Sequence, residues 1–376
     1  MELTTLWFML VAVLFAGYFM LEGFDFGVGM LVGLLAKNEK ERRVLINTIG
    51  PVWDGNEVWI LTGGGALFAA FPEWYATMFS AFYLPLFLIL VALIIRGVAF
   101  EYRGKRDDAQ WRRRWDWAII VGSFLPALLW GVAVGNIAHF VKTDFVAGAT
   151  GSADFNGVHY VGNFFDLLNP YSLLAGVVTL TVFLTHGAVF VALKTTGDLR
   201  ERAHQFALKS GLVAAVAAVA FLVWTIVHMF DVKSTLEGVA ADLGAQYSDI
   251  GRVSMAILIA LAVAVAALFV AGLACSYLQR DGWAFVFTAA TIVIFTFFVF
   301  ACLFPFVLPS SVNIAASLST NGAAGTVQAS SSALTLKIMT GVAVIMTPIV
   351  VAYQAWSYWV FRKRIGVQNI PVDAAH

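Results

Sequence analysis

Nine stretches of about 20 to 30 mostly apolar residues succeed one another along this chain, and each is long enough to cross a bilayer as a helix. They run approximately over 6–35, 49–75, 78–101, 117–141, 168–194, 204–229, 253–277, 284–308 and 334–361. Hydrophobic residues make up 60% of the chain and charged ones only 12%, with a mean hydropathy of +0.84. That leaves no room for a hidden soluble domain and describes an all-α polytopic membrane protein. The second stretch is the weakest, because Pro51, Asp54 and Glu57 open it and Gly63, Gly64 and Gly65 interrupt it. The first lacks a basic lead-in and a small-residue cleavage site, so it reads as a retained helix.

Loop charges argue for keeping the second stretch. With nine crossings, 19 of the 23 basic residues fall on one side, leaving Lys142, Lys233, Arg252 and Lys337 opposite. By the positive-inside rule the basic side is cytoplasmic, which puts the N-terminus outside and the C-terminus inside. Deleting the second span would move Lys37, Lys40, Arg42 and Arg43 to the outside. The opposite connections are acidic or Ser/Gly-rich, with Asp144, Asp154, Asp166, Asp231, Glu237, Asp242 and Asp249, and too short for a folded domain of their own. Total charge is balanced, 23 basic against 23 acidic residues, which gives no basic excess for nucleic acid. The expected layout is a single membrane domain, residues 1–376, built as two four-helix bundles (about 6–141 and 168–308) plus a last, peripheral helix (about 334–361). A short echo between Leu21-Glu22-Gly23-Phe24 and Thr185-His186-Gly187-Ala188 fits two related bundles.

Function is to be sought where charge enters these apolar runs. Glu22-Gly-Phe-Asp25 and Asp54-Gly-Asn-Glu57 each place two acids three residues apart, on one face of a helix. Ionised groups at such depths are costly and usually face a protein interior, a hydrated cavity or each other. If the first helix ends near Leu35, Glu22 lies roughly 20 Å and Asp25 roughly 15 Å from that end, near mid-membrane. Asp54 lies roughly 8 Å in from the same side. A proton from the cytoplasm would therefore meet Asp54 first. Carboxyl groups suit such transfer because burial and like-charged neighbours bring both protonation states within reach.

A plainer reading pairs each acid with a base such as Arg96, which explains one acid more readily than four. Asn56, Trp53 and Trp59 either shape the site or cap and pack the second span; Gly27, Gly29 and Gly33 suit close helix contact. Membrane-held haem wants axial His or Met side chains at matched depth on facing helices, and a di-metal bundle wants Glu-x-x-His pairs. Neither pattern is present. His186, near mid-span, is the best ligand candidate and reads as a hydrogen-bonded core residue, while His139 and His228 read as interfacial. Cys275 and Cys302 read as packing residues, and no metal site is expected.

Longer motifs point to a family. Glu22-Gly-Phe-Asp-Phe-Gly-Val-Gly29, Glu41-Arg-Arg43 through Pro51-Val-Trp-Asp-Gly-Asn-Glu-Val-Trp59, Gly64-Gly-Ala-Leu-Phe-Ala-Ala70, Gly162-Asn-Phe-Phe-Asp-Leu-Leu-Asn-Pro170, Trp283-Ala-Phe-Val-Phe287 and Phe304-Pro-Phe-Val-Leu-Pro-Ser-Ser311 resemble subunit II of the cytochrome bd ubiquinol oxidases. The resemblance runs from the first helix to the last. It implies a respiratory quinol oxidase of the bacterial inner membrane that reduces dioxygen to water with protons drawn from the cytoplasm. It also implies that two haems b and one haem d sit in a partner, subunit I, and that single-helix accessory subunits can join. By the same resemblance the proton path falls on Asp54 and Glu22 with Asp25 adjacent; at Glu22 relatives can carry Asp. A structural quinone can be held in this subunit, with Trp53, Asn56, Glu57 and Arg96 as candidates to line its pocket or the acid cluster. Two other readings compete: a purely structural scaffold for subunit I, in which loss of the acids leaves turnover intact, and a secondary transporter, which would also show mid-membrane acids and interrupted helices.

Overall fold

The computed structural model describes residues 2–146, 157–243, 253–322 and 325–370, with side chains described at all of these except 233–243. Asp154, Asp249 and Arg252 lie outside the described residues, as do the side chains of Lys233, Glu237 and Asp242. The chain forms α1 (Leu3–Leu34), α2 (Glu39–Ile49), α3 (Trp53–Ala70), α4 (Pro72–Ala81), α5 (Tyr83–Tyr102), α6 (Ala109–Ala138), α7 (Pro170–Lys194), α8 (Asp198–Leu243), α9 (Met255–Tyr277), α10 (Asp281–Leu303) and α11 (Ala333–Val360). Among the described residues, eight helices are long and apolar enough to cross a membrane: α1 and α5 through α11.

The expected second span is divided. Asn38 caps α2, its side chain accepting from Glu41 N at 3.0 Å. At Phe71 the backbone leaves helical geometry, and Pro72, which has no N–H to lose, opens α4. Between them α3, with Asp54, Glu57 and three successive glycines, is too polar to count as a span by hydropathy. Other boundaries shift for local reasons. The Asp108 side chain accepts from Gln110 N, so α6 begins at Ala109 rather than near 117 and carries Arg112, Arg113 and Arg114 with it. Helix α10 stops at Leu303, short of the expected 308, because Pro305 cannot continue it.

The last residues of that expected span instead form β3 (Phe306–Leu308), which pairs antiparallel with β4 (Leu318–Ser319); β4 pairs parallel with β5 (Val327–Gln328). Two further strands, here β1 (Thr143–Phe145) and β2 (Val158–Tyr160), pair antiparallel.

Helix α1 is the centre of the packing. Every residue from Leu21 to Val32 is buried, because α3, α6, α7 and α10 surround it. An enclosed helix needs apolar character all round rather than a stripe, and α1 has that. It meets α7 at two glycines: a Cβ on Gly27 would stand 2.7 Å from Gly187 Cα, and one on Gly187 would stand 2.6 Å from Gly27 Cα. Bare backbone against backbone is how helices approach closely without water to drive them together.

Ion pairs gather the charged connections at one end. Arg103 binds Glu39 (2.7 Å) and Asp116 (2.6 Å), and Arg202 binds Glu41 (2.7 Å). Burial alone would push the Glu41 carboxyl up, but hydrogen bonds from Arg202 and the Lys37 N–H outweigh it and hold the group below its usual value. Asp281 takes Arg200 (3.0 Å), His204 Nε2 (3.0 Å) and Arg364 from the tail. The tail is also tied by Ile365 N donating to Lys194 O at 2.9 Å. Replacing Asp281 with Ala is therefore expected to free residues 362–370, so that trypsin cuts after Lys363 several-fold faster in the detergent-solubilised protein. An unchanged cleavage rate would show that the backbone tie suffices.

Helix α11 stands apart: Leu336 is its one buried residue. Trp7 Nε1 holds it near the start, donating to Leu336 O (3.2 Å) and Thr340 Oγ1 (3.0 Å).

Candidate functional site

The site grows from α1. With Glu22 and Asp25 three residues apart on an enclosed helix, both side chains are driven into the interior, and neither has any exposed surface. Helix α3 brings Asn56 and Glu57 against them, and α5 brings Arg96, also fully buried. Room for Arg96 comes from α6, where a Cβ on Gly122 would lie 2.8 Å from Arg96 Cβ. The guanidinium lies over the Phe26 ring at 4.6 Å and nearer the Phe100 ring than 6 Å, at 5.8 Å. Such stacking suits a planar, weakly hydrated cation.

Two chains of hydrogen bonds issue from the acids. Arg96 Nη2 donates to Glu22 Oε1 and also to Glu57 Oε1 (2.6 Å). Asn56 Nδ2 donates to Asp25 Oδ2 (2.6 Å), and Asn56 Oδ1 accepts from Tyr358 Oη (2.8 Å) and Gln354 Nε2 (3.2 Å) on α11. Trp59 Nε1 donates to Gln354 Oε1 at 2.7 Å, closing the link between α3 and α11. Three carboxyls thus meet one guanidinium, which can balance one of them; the excess gives the cluster capacity to hold protons. Among the described residues, Arg96 Nε and Nη1 have no acceptor, Glu22 Oε2 and Asp25 Oδ1, on neighbouring carboxyls, have no donor, and Ser123 Oγ, beside Gly29 one turn further along α1, has no partner; all five atoms are buried.

Of the residues singled out in the sequence, Glu22, Asp25, Asn56, Glu57 and Arg96 come together. Asp54 does not join them: it lies one turn before Glu57 on the exposed side of α3 and bonds to none of the described residues. Trp53 is likewise not part of the cluster; its ring packs against Phe100 (5.2 Å between centroids) and against Gly97. Ser123, Gln354 and Tyr358 were not anticipated. The last two are polar interruptions of an apolar helix, the same signal that marked the acids.

His186 is a satisfied core residue: Nδ1 pairs with Thr288 Oγ1 (2.8 Å), Nε2 with Met20 O (3.2 Å), and the ring stacks on Phe285. His139 and His228 stack face to face at 5.0 Å, so they cannot both aim a nitrogen at one metal. Among the described residues no group of three His, Cys, Asp or Glu side chains could hold a metal ion. These residues do not fit a haem. A cavity of about 100 Å³ lies between α7, α8, α9 and α10, lined by Val182, Phe183, Leu222, Phe269 and Phe295 among others. Its Thr179, Thr291 and Thr296 hydroxyls donate to helix carbonyls.

Residues 3–361 match the family described as cytochrome bd terminal oxidase subunit II. Cytochrome bd ubiquinol oxidase subunit 2 of Bacillus subtilis is 42% identical over 365 residues, 97% of each chain. Cytochrome bd-I ubiquinol oxidase subunit 2 of Escherichia coli K12 is 39% identical over 377 residues, covering 97% of this chain and 96% of that one. A chain of the solved bd oxidase from Geobacillus thermodenitrificans superposes with a TM-score of 0.67 over 96% of this chain and 100% of its own. At 15% identity that likeness speaks to the fold alone.

Proposed function

The chain belongs to the cytochrome bd terminal oxidase subunit II family, and on that premise we propose that it conducts protons from the cytoplasm toward a haem-bearing subunit I while supporting that subunit in the membrane. Membership makes it part of a quinol:oxygen oxidoreductase of bacterial respiration, and a membrane-spanning protein. Haem belongs to the complex as a family property; the proposal assigns the two haems b and haem d to subunit I.

The proposed topology has nine crossings, α3 being the ninth. Ser331 N donates to Ala70 O (2.9 Å), so the end of α3 meets the start of α11, while the end of α11 is tied to Lys194 at the ion-paired end. That supports α3 running antiparallel beside α11. The basic connections then face the cytoplasm, with the N-terminus outside. We keep the division into bundles at about 6–141 and 168–308 with α11 peripheral, and single-helix accessory subunits as further partners.

One observation carries the proton reading: four carboxyls pass from an exposed one, Asp54, through a half-buried one, Glu57, to two with no exposed surface, Glu22 and Asp25. An exposed acid on a membrane helix needs protein or water beside it rather than lipid. The face of α3 that bears Asp54 also bears Gly65, where a Cβ would meet nothing within 4 Å, which suits close contact with subunit I. Oxygen reduction itself is haem chemistry. What this chain's residues do is hold and pass the protons. No step runs through a quinone.

Asp54→Asn in the purified complex tests it. Oxygen consumption is expected to fall at least about a hundredfold, the scale of losing a positioned proton carrier, while absorption spectra show full haem content. Unchanged turnover would support the scaffold reading instead, in which the Arg96–Glu22 pair is structural.

A further inference from the structure

Glu57 occupies a place in the cluster that the four-carboxyl line alone does not explain. Its side chain keeps 22% of its surface exposed, whereas Glu22 keeps none, and both rest on the same nitrogen, Arg96 Nη2. A guanidinium carries one charge, so its hold on one carboxylate strengthens as the other becomes neutral. Arg96 gives up no proton itself. It is a fixed charge about which a proton on the two acids redistributes.

A second observation points to what fills the route. Arg96 Nε and Nη1 are donors, Glu22 Oε2 and Asp25 Oδ1 are acceptors on neighbouring carboxyls, and Ser123 Oγ is both; all are buried, and among the described residues no donor meets these acceptors and no acceptor these donors. Buried polar atoms are costly when unsatisfied, and a mixed group of donors and acceptors is the surrounding that internal water takes up.

We propose that Glu57 is the carboxyl through which protons enter the buried cluster, that Arg96 couples its state to that of Glu22, and that water held by Arg96, Glu22, Asp25 and Ser123 completes the route. This rests on the proton-conducting reading and deepens it. A proton arriving from the Asp54 side bonds to a Glu57 carboxylate oxygen, and Arg96 Nη2 then serves Glu22 alone. When that O–H bond breaks, the proton moves through water to Glu22 Oε2, and Nη2 returns to the ionised Glu57. One proton is lost by Glu57 and gained by Glu22, and no electron moves. Glu57 is thus a proton carrier, and Arg96 a positioning residue.

The test uses the purified oxidase carrying Glu57→Gln, Glu57→Asp or Asp54→Asn, each checked for haem content by its spectrum. Steady-state oxygen consumption is measured in H₂O and in D₂O. Glu57→Gln is expected to lower turnover about tenfold or more and to raise the solvent isotope ratio. Glu57→Asp, one methylene shorter, should recover most of the turnover with a ratio still above the parent value. If Asp54→Asn collapses turnover while both Glu57 variants match the parent in rate and ratio, this inference fails and the proton path stands. If all three match the parent, both fail. Where Glu57→Gln does not assemble, Glu57→Asp decides: a parental isotope ratio means that Glu57 only holds Arg96 in place.

Discussion

Arg96→Met is expected to abolish accumulation of the assembled oxidase. The substitution keeps bulk between Phe26 and Phe100 but removes the one positive charge facing Glu22, Glu57 and Asp25. Breaking a buried ion pair by deleting one partner costs about 3–5 kcal/mol, because the remaining charge stays buried and unpaired. Haem per membrane protein, with size-exclusion chromatography of the extract, measures the loss. The double variant Arg96→Met with Glu22→Gln removes both halves of the closest pair and should recover part of the assembly. Normal assembly of the single variant would mean that the acids are already neutral without Arg96, and the coupling between Glu22 and Glu57 would lose its basis.

Gly27→Val should be as damaging for an unrelated reason. Any Cβ at this position runs into the Phe183 carbonyl and lies 2.7 Å from Gly187 Cα, and neither obstacle is a flexible side chain that can move aside. Helices α1 and α7 must part, which costs about 3 kcal/mol or more by analogy with severe overpacking, and the Glu22–Asp25 face of α1 moves with them. The readout is the thermal unfolding midpoint of the solubilised complex. Gly341→Ala on α11, where a Cβ meets nothing within 4 Å, is the control and should leave the midpoint near that of the parent. Equal midpoints for both variants would show that the α1–α7 crossing is looser than the backbone distances say.

The helices that cross were legible because the signal for them, a run of apolar residues as long as the bilayer is thick, is local. So was the acid pair on α1, since three-residue spacing fixes a common face. The break at Phe71-Pro72 was legible in hindsight only, because Pro72 fits inside an apolar run and at the first position of a new helix equally well. The partnership of Glu57 with Arg96 lies further out of reach: the two are 39 residues apart, and no local rule says which of four acids a lone arginine will choose. Gln354 and Tyr358 show the same limit at its extreme, since their link to Asn56 exists only because α11 returns across the molecule to lie beside α3. The outward placement of Asp54 depends on the rotation of α3 about its own axis. That is set by packing against α1 rather than by sequence spacing.

The 18 residues of α3 give it a length of only about 27 Å, against a hydrocarbon layer of about 30 Å. As the proposed crossing that carries Asp54, it is the shortest stave in a barrel of longer ones. A short stave is met by a local drawing-in of the lipid surface, at modest energetic expense. On the proposed path, water drawn in at the thinned surface shortens the low-dielectric distance ahead of Asp54. Lipids of longer acyl chain resist that thinning, which on the proposed path makes bilayer thickness a physical variable of proton supply.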